Sequence, residues 1–240
     1  MIFNLFNIKP TLKELIPSGY VDIHSHILPG IDDGSKNVSE SISLITKMKE
    51  IGFSKIIGTP HSYPGLYDNT TDSIKKSFKE LKKDLKININ IDYASEYMLD
   101  NTIIEKAKNK DLLCLKDNYL LIEMSYLSAP INLYEIIFEL NVNGYKPILA
   151  HPERYHFFSM KDFFKLKKAG CYFQLNLLST LGHYGKRTLK MTNKLFDKNL
   201  FDFVGSDVHK INHLLLFDKK VEIQRTKKLV KCIENNKLFD

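Results

Sequence analysis

The 240-residue sequence contains no tryptophan, only three cysteines, and no apolar run near the roughly 18 residues that a membrane-spanning helix needs. Cys114, Cys171 and Cys232 are too few and too widely spaced for a disulfide framework, and they fit a reducing cytoplasm. None of them opens a Cys-x5-Arg phosphate loop, because the residues six positions on are Leu120, Leu177 and Leu238. Thiolate-based phosphoester chemistry is therefore not expected. No signal peptide with a small-residue cleavage site opens the chain, and no low-complexity tract or linker interrupts it, so a cytoplasmic location is expected. The net charge of +7 comes mostly from dispersed lysines. With no basic block, zinc-finger spacing or aromatic RNA-binding motif, it reads as a solvated surface, and no nucleic-acid partner is expected.

What remains is ordinary globular composition, 43% hydrophobic and 26% charged, at a length that one large α/β domain commonly fills. Residues 1–19 form a mixed apolar and basic lead-in, with Phe3, Leu5, Phe6 and Ile8 beside Lys9 and Lys13, expected to pack on the body. From residue 20 to 240 the pattern is one of alternating short strands and amphipathic helices. Tyr20–Ile23 reads as a buried strand stopped by Pro29-Gly30 and Asp33-Gly34. Val38, Ile42, Ile45 and Met48 have helical spacing, and Gly52 then separates that helix from the strand Phe53–Ile57. The same helix–Gly–strand frame recurs at Gly144 and Gly170. Further strands are expected over 87–93, 119–122, 147–150, 171–175 and 201–204, with helices between them and a closing helix over 221–235. Seven strands, each followed by a helix, imply parallel strands joined by right-handed crossovers. A closed seven-stranded barrel is expected. A doubly wound open sheet is the alternative, but no Gly-x-Gly-x-x-Gly follows the first strand.

In barrels of this kind the chemistry sits where the strands end. His24 and His26 leave the first strand on the same side, because side-chain direction alternates with period two, and both can grip one ion. By itself such a pair is as readily a surface feature. However, His61, Glu96, Glu123, His151, and Asp207 with His209 fall at the ends of other strands, and Asp33 follows the first. Nine imidazole and carboxylate candidates exceed what one ion can use, and indicate two or three ions. The absence of thiolate favours manganese, iron or zinc over magnesium alone. Such clusters are a standard route to hydrolysing a phosphoester. His156, His183 and His213 fall outside the pattern and are read as surface or core residues.

With these residues in place, the chain resembles the PHP (polymerase and histidinol phosphatase) superfamily. Within it, the likeness is to the bacterial tyrosine-protein phosphatases of capsule and exopolysaccharide assembly. The motifs are Asp22-Ile23-His24-Ser25-His26, Asp32-Asp33-Gly34, Thr59-Pro60-His61, Glu96-Tyr97, Ile122-Glu123, Ala150-His151-Pro152-Glu153-Arg154-Tyr155 and Ser206-Asp207-Val208-His209. They run in family order over residues 20 to 210. The resemblance implies a distorted seven-stranded (β/α)7 barrel holding three divalent ions, usually manganese, with iron or zinc as the alternatives. It implies one ion on His24, His26 and Asp207, with Glu96 bridging to a second that Glu123 and His151 complete, and a third on Asp33, His61 and His209. Arg154 would clamp phosphoryl oxygens, a task suited to a planar guanidinium.

One departure concerns a further arginine that follows the final Asp-x-His in the Gram-positive phosphatases. Here the segment reads Lys210-Ile211-Asn212-His213-Leu214. Lys210, His213 or Gly185-Lys186-Arg187 are the candidates to replace it. The resemblance implies hydrolysis of phosphotyrosine on a protein, with a tyrosine kinase of polysaccharide assembly as the partner. A small-molecule phosphatase of the histidinol-phosphatase type and a non-catalytic metal-binding scaffold are the competing readings. The complete candidate set speaks against the scaffold, and the lack of a long lid insertion favours an open site that a peptide can reach.

Overall fold

A computed structural model describes residues 9–240. The expectation for residues 1–8 of the lead-in lies outside them. Residues 9–19 pack on the body: Thr11 forms an antiparallel bridge with Lys220, and Leu12, which opens the short helix α1 (Leu12–Leu15), is fully buried.

The strands are β1 (Tyr20–Asp22), β2 (Phe53–Gly58), β3 (His61–Ser62), β4 (Asn90–Tyr93), β5 (Glu96–Met98), β6 (Tyr119–Glu123), β7 (Lys146–Ala150), β8 (Tyr172–Asn176) and β9 (Phe203–Gly205). Between them run α2 (Val38–Ile51), α3 (Thr71–Asp84), α4 (Thr102–Lys108), α5 (Leu133–Val142), α6 (Met160–Lys168) and α7 (Lys186–Asp197), followed after β9 by α8 (Ile211–Leu215) and α9 (Thr226–Asn235). Local signals explain the helix ends. Asn37 caps α2 by accepting from the Glu40 N–H, and Gly52 ends it at φ 122°, a conformation side chains disfavour.

Every ladder is parallel, as expected, but the strands form two sheets, in the orders β1-β2-β4 and β3-β5-β6-β7-β8-β9. Among the described residues neither sheet closes, so a continuous seven-stranded ladder is not what the hydrogen bonds draw. The physical reason lies in three places. The expected strands over 53–57 and 87–93 are each followed, after a break at Thr59-Pro60 and Ala94-Ser95, by a further short strand, β3 and β5, in the other sheet; Pro60 has no N–H for a ladder. Backbone bonds still cross the break, from the Ala94 N–H to Gly58 and from the Glu96 N–H to Pro60.

The third place is between β1 and β9, where side chains take over from backbone. The Asp22 carboxylate accepts from the Ser206 N–H (2.8 Å) and hydroxyl (2.5 Å). The Asn236 side-chain amide donates to the Val21 and Val204 carbonyls (2.9 and 2.8 Å) and accepts from the Val204 N–H (3.2 Å). Beyond them a bridge between Ser25 and Val208 continues the contact towards the site.

Period-two alternation divides the strand side chains between two apolar layers. Leu120, Ile122 and Leu149 face the helices, packing with residues such as Ile45, Ile137, Phe163 and Leu195. Val21, Ile57, Leu121, Ile148, Ala150 and Phe203 form a smaller cluster that Phe239 joins. The two layers hold the strand ends, and with them the polar residues, in fixed positions.

Candidate metal centre

Six of the nine residues singled out in the sequence, Asp33, His61, Glu123, His151, Asp207 and His209, line one cavity of about 480 Å³, and the fully buried His24, His26 and Glu96 group with them. His24 and His26 extend beyond β1, Asp33 lies in the following turn, and Glu123 ends β6. His151 directly follows β7, and Asp207 and His209 follow β9. His61 and Glu96 differ from expectation: they open β3 and β5, opposite each other in register, because the ladder resumes after the breaks. His151 (φ 36°) and Asp207 (φ 52°) take left-handed backbone conformations that cost non-glycine residues of order 1–3 kcal/mol. Bonds from their N–H groups to the Gln174 and His24 carbonyls, 2.8 Å each, hold them there.

The hydrogen-bond partners of the two buried histidines decide what the centre can hold. His24 Nδ1 meets the Gln174 amide oxygen at 2.8 Å, and His26 Nδ1 meets an Asp32 carboxylate oxygen at 2.7 Å. Both acceptors require a proton on Nδ1, which leaves the two Nε2 atoms as lone-pair acceptors in the neutral imidazoles. Those Nε2 atoms are 3.3 Å apart, with an Asp207 oxygen at 3.3–3.4 Å and a Glu96 oxygen at 3.1–3.5 Å. Two imidazole nitrogens and two carboxylate oxygens this close require positive charge between them, either protons on Nε2 or a metal ion.

A second gap lies beside it. His61 Nδ1, Glu96 Oε2 and Glu123 Oε1 are buried without a hydrogen-bond partner, although His61 Nδ1 is 2.7 Å from the Glu123 oxygen and 3.2 Å from that of Glu96. Buried polar atoms are ordinarily satisfied, so converging unsatisfied ones fit an ion's donor set. The residues present therefore fit divalent ions of the imidazole–carboxylate type.

The side chains gather as His24, His26 and Asp207; as His26, Asp33, His61 and His209; as His24, Glu96 and His151; and as His61, Glu96 and Glu123. Glu96 thus belongs to two groups, consistent with a bridging carboxylate. Glu123 lies with His61, whereas His151 is grouped with Glu96 and His24, so the second set that the resemblance implies is not gathered as one group.

Charge follows the same geometry. Burial opposes a proton on His24, but Glu96 and Asp207 outweigh it and push its pKa up to about 9. Burial raises Glu96 and Asp207, yet the histidines hold both well below the usual carboxylate range. This anionic field favours a cation. His151 is pushed down to about 4, chiefly by burial, and so offers a neutral imidazole. Asp33 is lowered to about 2 by its hydrogen bond with His209.

Arg154 also lines the cavity, with Nη1 3.3 Å from Asp207 Oδ2. Lys210, Lys186, Arg187 and His213 do not line it. Arg187 donates instead to the His156 carbonyl, and His213 Nδ1 accepts from the His209 N–H. His156 pairs with Thr188, and His183 packs edge-on to His213. The sequence reading gave no role to Gln174. A glutamine within the buried strand run Cys171-Tyr172-Phe173-Gln174-Leu175 was the available signal, since such side chains are seldom buried without a partner.

Residues 20–232 match the family described as "Capsular polysaccharide synthesis, CpsB/CapC". The chain belongs to the CpsB/CapC family. Its relatives include CapC of Staphylococcus aureus, 33% identical over 199 residues that cover 80% of this chain and 78% of CapC. Tyrosine-protein phosphatase YwqE of Bacillus subtilis is 30% identical, covering 80% of this chain and 78% of YwqE. Among solved structures, one of the YwqE and Streptococcus pneumoniae CpsB structures, described as unique metal-dependent tyrosine phosphatases, superposes with TM-score 0.79. It is 28% identical and covers 91% of this chain and 93% of its own. A phosphotriesterase homology protein of Escherichia coli shares the fold at TM-score 0.56 and 14% identity, over 93% of this chain and 99% of that one. In this CpsB/CapC chain no described helix is long and apolar enough to cross a membrane.

Proposed function

We propose that this chain is a metal-dependent phosphatase that removes phosphate from phosphotyrosine on proteins, with a tyrosine kinase of polysaccharide assembly as its substrate. The observation that carries this reading is the cluster of converging, unsatisfied acceptors at the floor of an open cavity, with Arg154 on its wall. Family membership, and the activity named for YwqE, support the same reading. The strand passes are read as a distorted seven-stranded barrel stitched by Asp22 and Asn236.

Three ions are proposed, with manganese first and iron or zinc as alternatives. His24, His26 and Asp207 would hold one, Glu96 would bridge to a second held with Glu123 and His151, and Asp33, His61 and His209 would hold the third. Bound divalent ions in such a cluster supply Lewis-acid polarisation of the phosphoryl group and acidify water at neutral pH. The protein's own groups do the rest. Gln174 and Asp32 fix the protons of His24 and His26 on Nδ1, which aims their lone pairs inward. Arg154 donates in-plane N–H groups to the phosphoryl oxygens and stabilises the charge that develops on them. A phenolate leaving group, with a conjugate-acid pKa of about 10, needs less protonation than an alkoxide. That suits a cavity in which no dedicated general acid stands out.

The test is a paired assay on metal-stripped protein with manganese restored, using a phosphotyrosine peptide in one arm and histidinol phosphate in the other. Manganese-dependent kcat/KM strongly favouring the peptide is expected. Preference for histidinol phosphate would overturn the proposed substrate, and silence in both arms would overturn the activity. His26→Ala and His151→Ala should abolish turnover in a chain that still unfolds cooperatively.

A further inference from the structure

The Arg154 guanidinium makes one hydrogen bond among the described residues, the 3.3 Å contact with Asp207 Oδ2, an oxygen that also accepts from the Asn176 amide at 2.7 Å. A single long bond does not orient a flexible side chain. Two aromatic rings do: the guanidinium carbon lies 4.5 Å from the Tyr126 centroid and 4.3 Å from that of Tyr184. Both distances are well inside the range, within about 6 Å, where a ring face attracts a cation.

The rings come from separate elements, and each is braced. Tyr126 follows β6 by three residues and stacks on Tyr155 (5.8 Å, 26°), whose hydroxyl accepts from the Met124 N–H. Tyr184 precedes α7, and its hydroxyl accepts from Asn176, the residue that also holds Asp207. With ring faces attracting the cation, the remaining in-plane N–H donors of Arg154 stay free for a ligand.

We propose that Tyr126 and Tyr184 are positioning residues that clamp the Arg154 guanidinium in the orientation that receives a phosphoryl group. This rests on the phosphoryl-binding role given to Arg154 above. The clamp makes Arg154 pre-organised, so that little side-chain freedom is lost when the phosphoryl group arrives.

The experiment uses the full chain loaded with manganese and compares Tyr126→Ala, Tyr184→Ala, their Phe counterparts, Arg154→Ala, and each Tyr→Ala combined with Arg154→Ala. Three quantities are read: the Kd for inorganic phosphate by calorimetry, kcat and KM on a phosphotyrosine peptide, and manganese content. Each Tyr→Ala change should weaken phosphate binding and lower kcat/KM by about tenfold with manganese content unchanged, the scale of a partly desolvated cation–π contact. The Phe variants, which keep the ring face, should stay within about threefold of wild type. In the Arg154→Ala background the Tyr→Ala changes should cost nothing further, because no guanidinium is left to hold. Tyr126 is 46% exposed, so its replacement leaves the core intact.

Equal losses with and without Arg154, Phe variants as damaged as the Ala ones, or phosphate affinity indifferent to Arg154→Ala would each overturn the clamp. If wild type bound phosphate through Arg154 yet left the peptide intact, the phosphotyrosine reading would fall, and the phosphate arm alone would decide for or against the clamp.

Discussion

Replacing Gly34 by alanine would place a methyl group 2.1 Å from the His26 carbonyl oxygen, 2.5 Å from its Cβ and 2.9 Å from its carbonyl carbon. Carbon contacts are ordinarily about 3.5–4 Å, so relief requires a movement on the order of 1 Å. No flexible side-chain end is available to give way. The His26 backbone is bonded on both sides, its N–H to Val208 (2.9 Å) and its carbonyl from Ser35 (3.1 Å). Asp32 accepts from the Gly34 N–H at 2.9 Å and also holds His26 Nδ1. Any shift of the 32–35 turn therefore turns the His26 ring. Overpacking of this kind costs about 1–3 kcal/mol of stability. A misplacement near 1 Å in a catalytic group costs about 10²-fold in rate.

Gly144→Ala is the control: its φ of 84° carries backbone strain of about 1–2 kcal/mol, and nothing lies within 4 Å of the added carbon. Both variants should melt earlier than wild type, but only Gly34→Ala should lose manganese and kcat/KM. The measurements are thermal unfolding, metal content and turnover of a phosphotyrosine peptide. Gly34→Ala protein with wild-type metal content and turnover would refute the reasoning.

Asn236→Ala removes the amide that serves the Val21 and Val204 backbones; denaturant titration should show about 2–4 kcal/mol lost from these buried, unsatisfied groups. An unchanged midpoint would mean that water takes over its role. Burial pushes the Cys171 and Cys232 thiols up to about 12, from 9.0 in an ordinary environment. At pH 8 both are protonated, so iodoacetamide should leave turnover intact, whereas a chelator should abolish it. Because the folded pKa exceeds the unfolded one, the stability from these thiols is full below pH 9 and is lost as pH rises from 9 towards 12. A Cys171→Ala, Cys232→Ala protein whose alkaline unfolding matched wild type would contradict that window.

Much of the architecture was legible because its signals are local. The 3.6-residue spacing of Val38, Ile42, Ile45 and Met48 predicted α2, and the glycines at 52, 144 and 170 sit at helix ends with φ values of 122°, 84° and 89°. Strand limits were harder. The expected strand over 87–93 begins only at Asn90, and the one over 201–204 at Phe203, because pairing partners rather than apolar content decide where a ladder starts. The division into two sheets was not legible, since whether β1 and β9 pair depends on Asp22 and Asn236, the latter more than 200 residues from Val21.

The sequence by itself determined the candidate centre's chemistry: imidazole and carboxylate without thiolate, delivered near strand ends by a period-two, period-3.6 alternation, and a family pattern strong enough to name. Tertiary structure alone decided how those groups meet. It set His24 against Gln174, 150 residues away, so that the imidazole lone pairs point inward. It brought His61 to Glu123 and put Arg154 between two tyrosines from different turns. Spacing along a chain encodes which face a side chain takes, whereas the partner on a distant strand is chosen by how the layers pack.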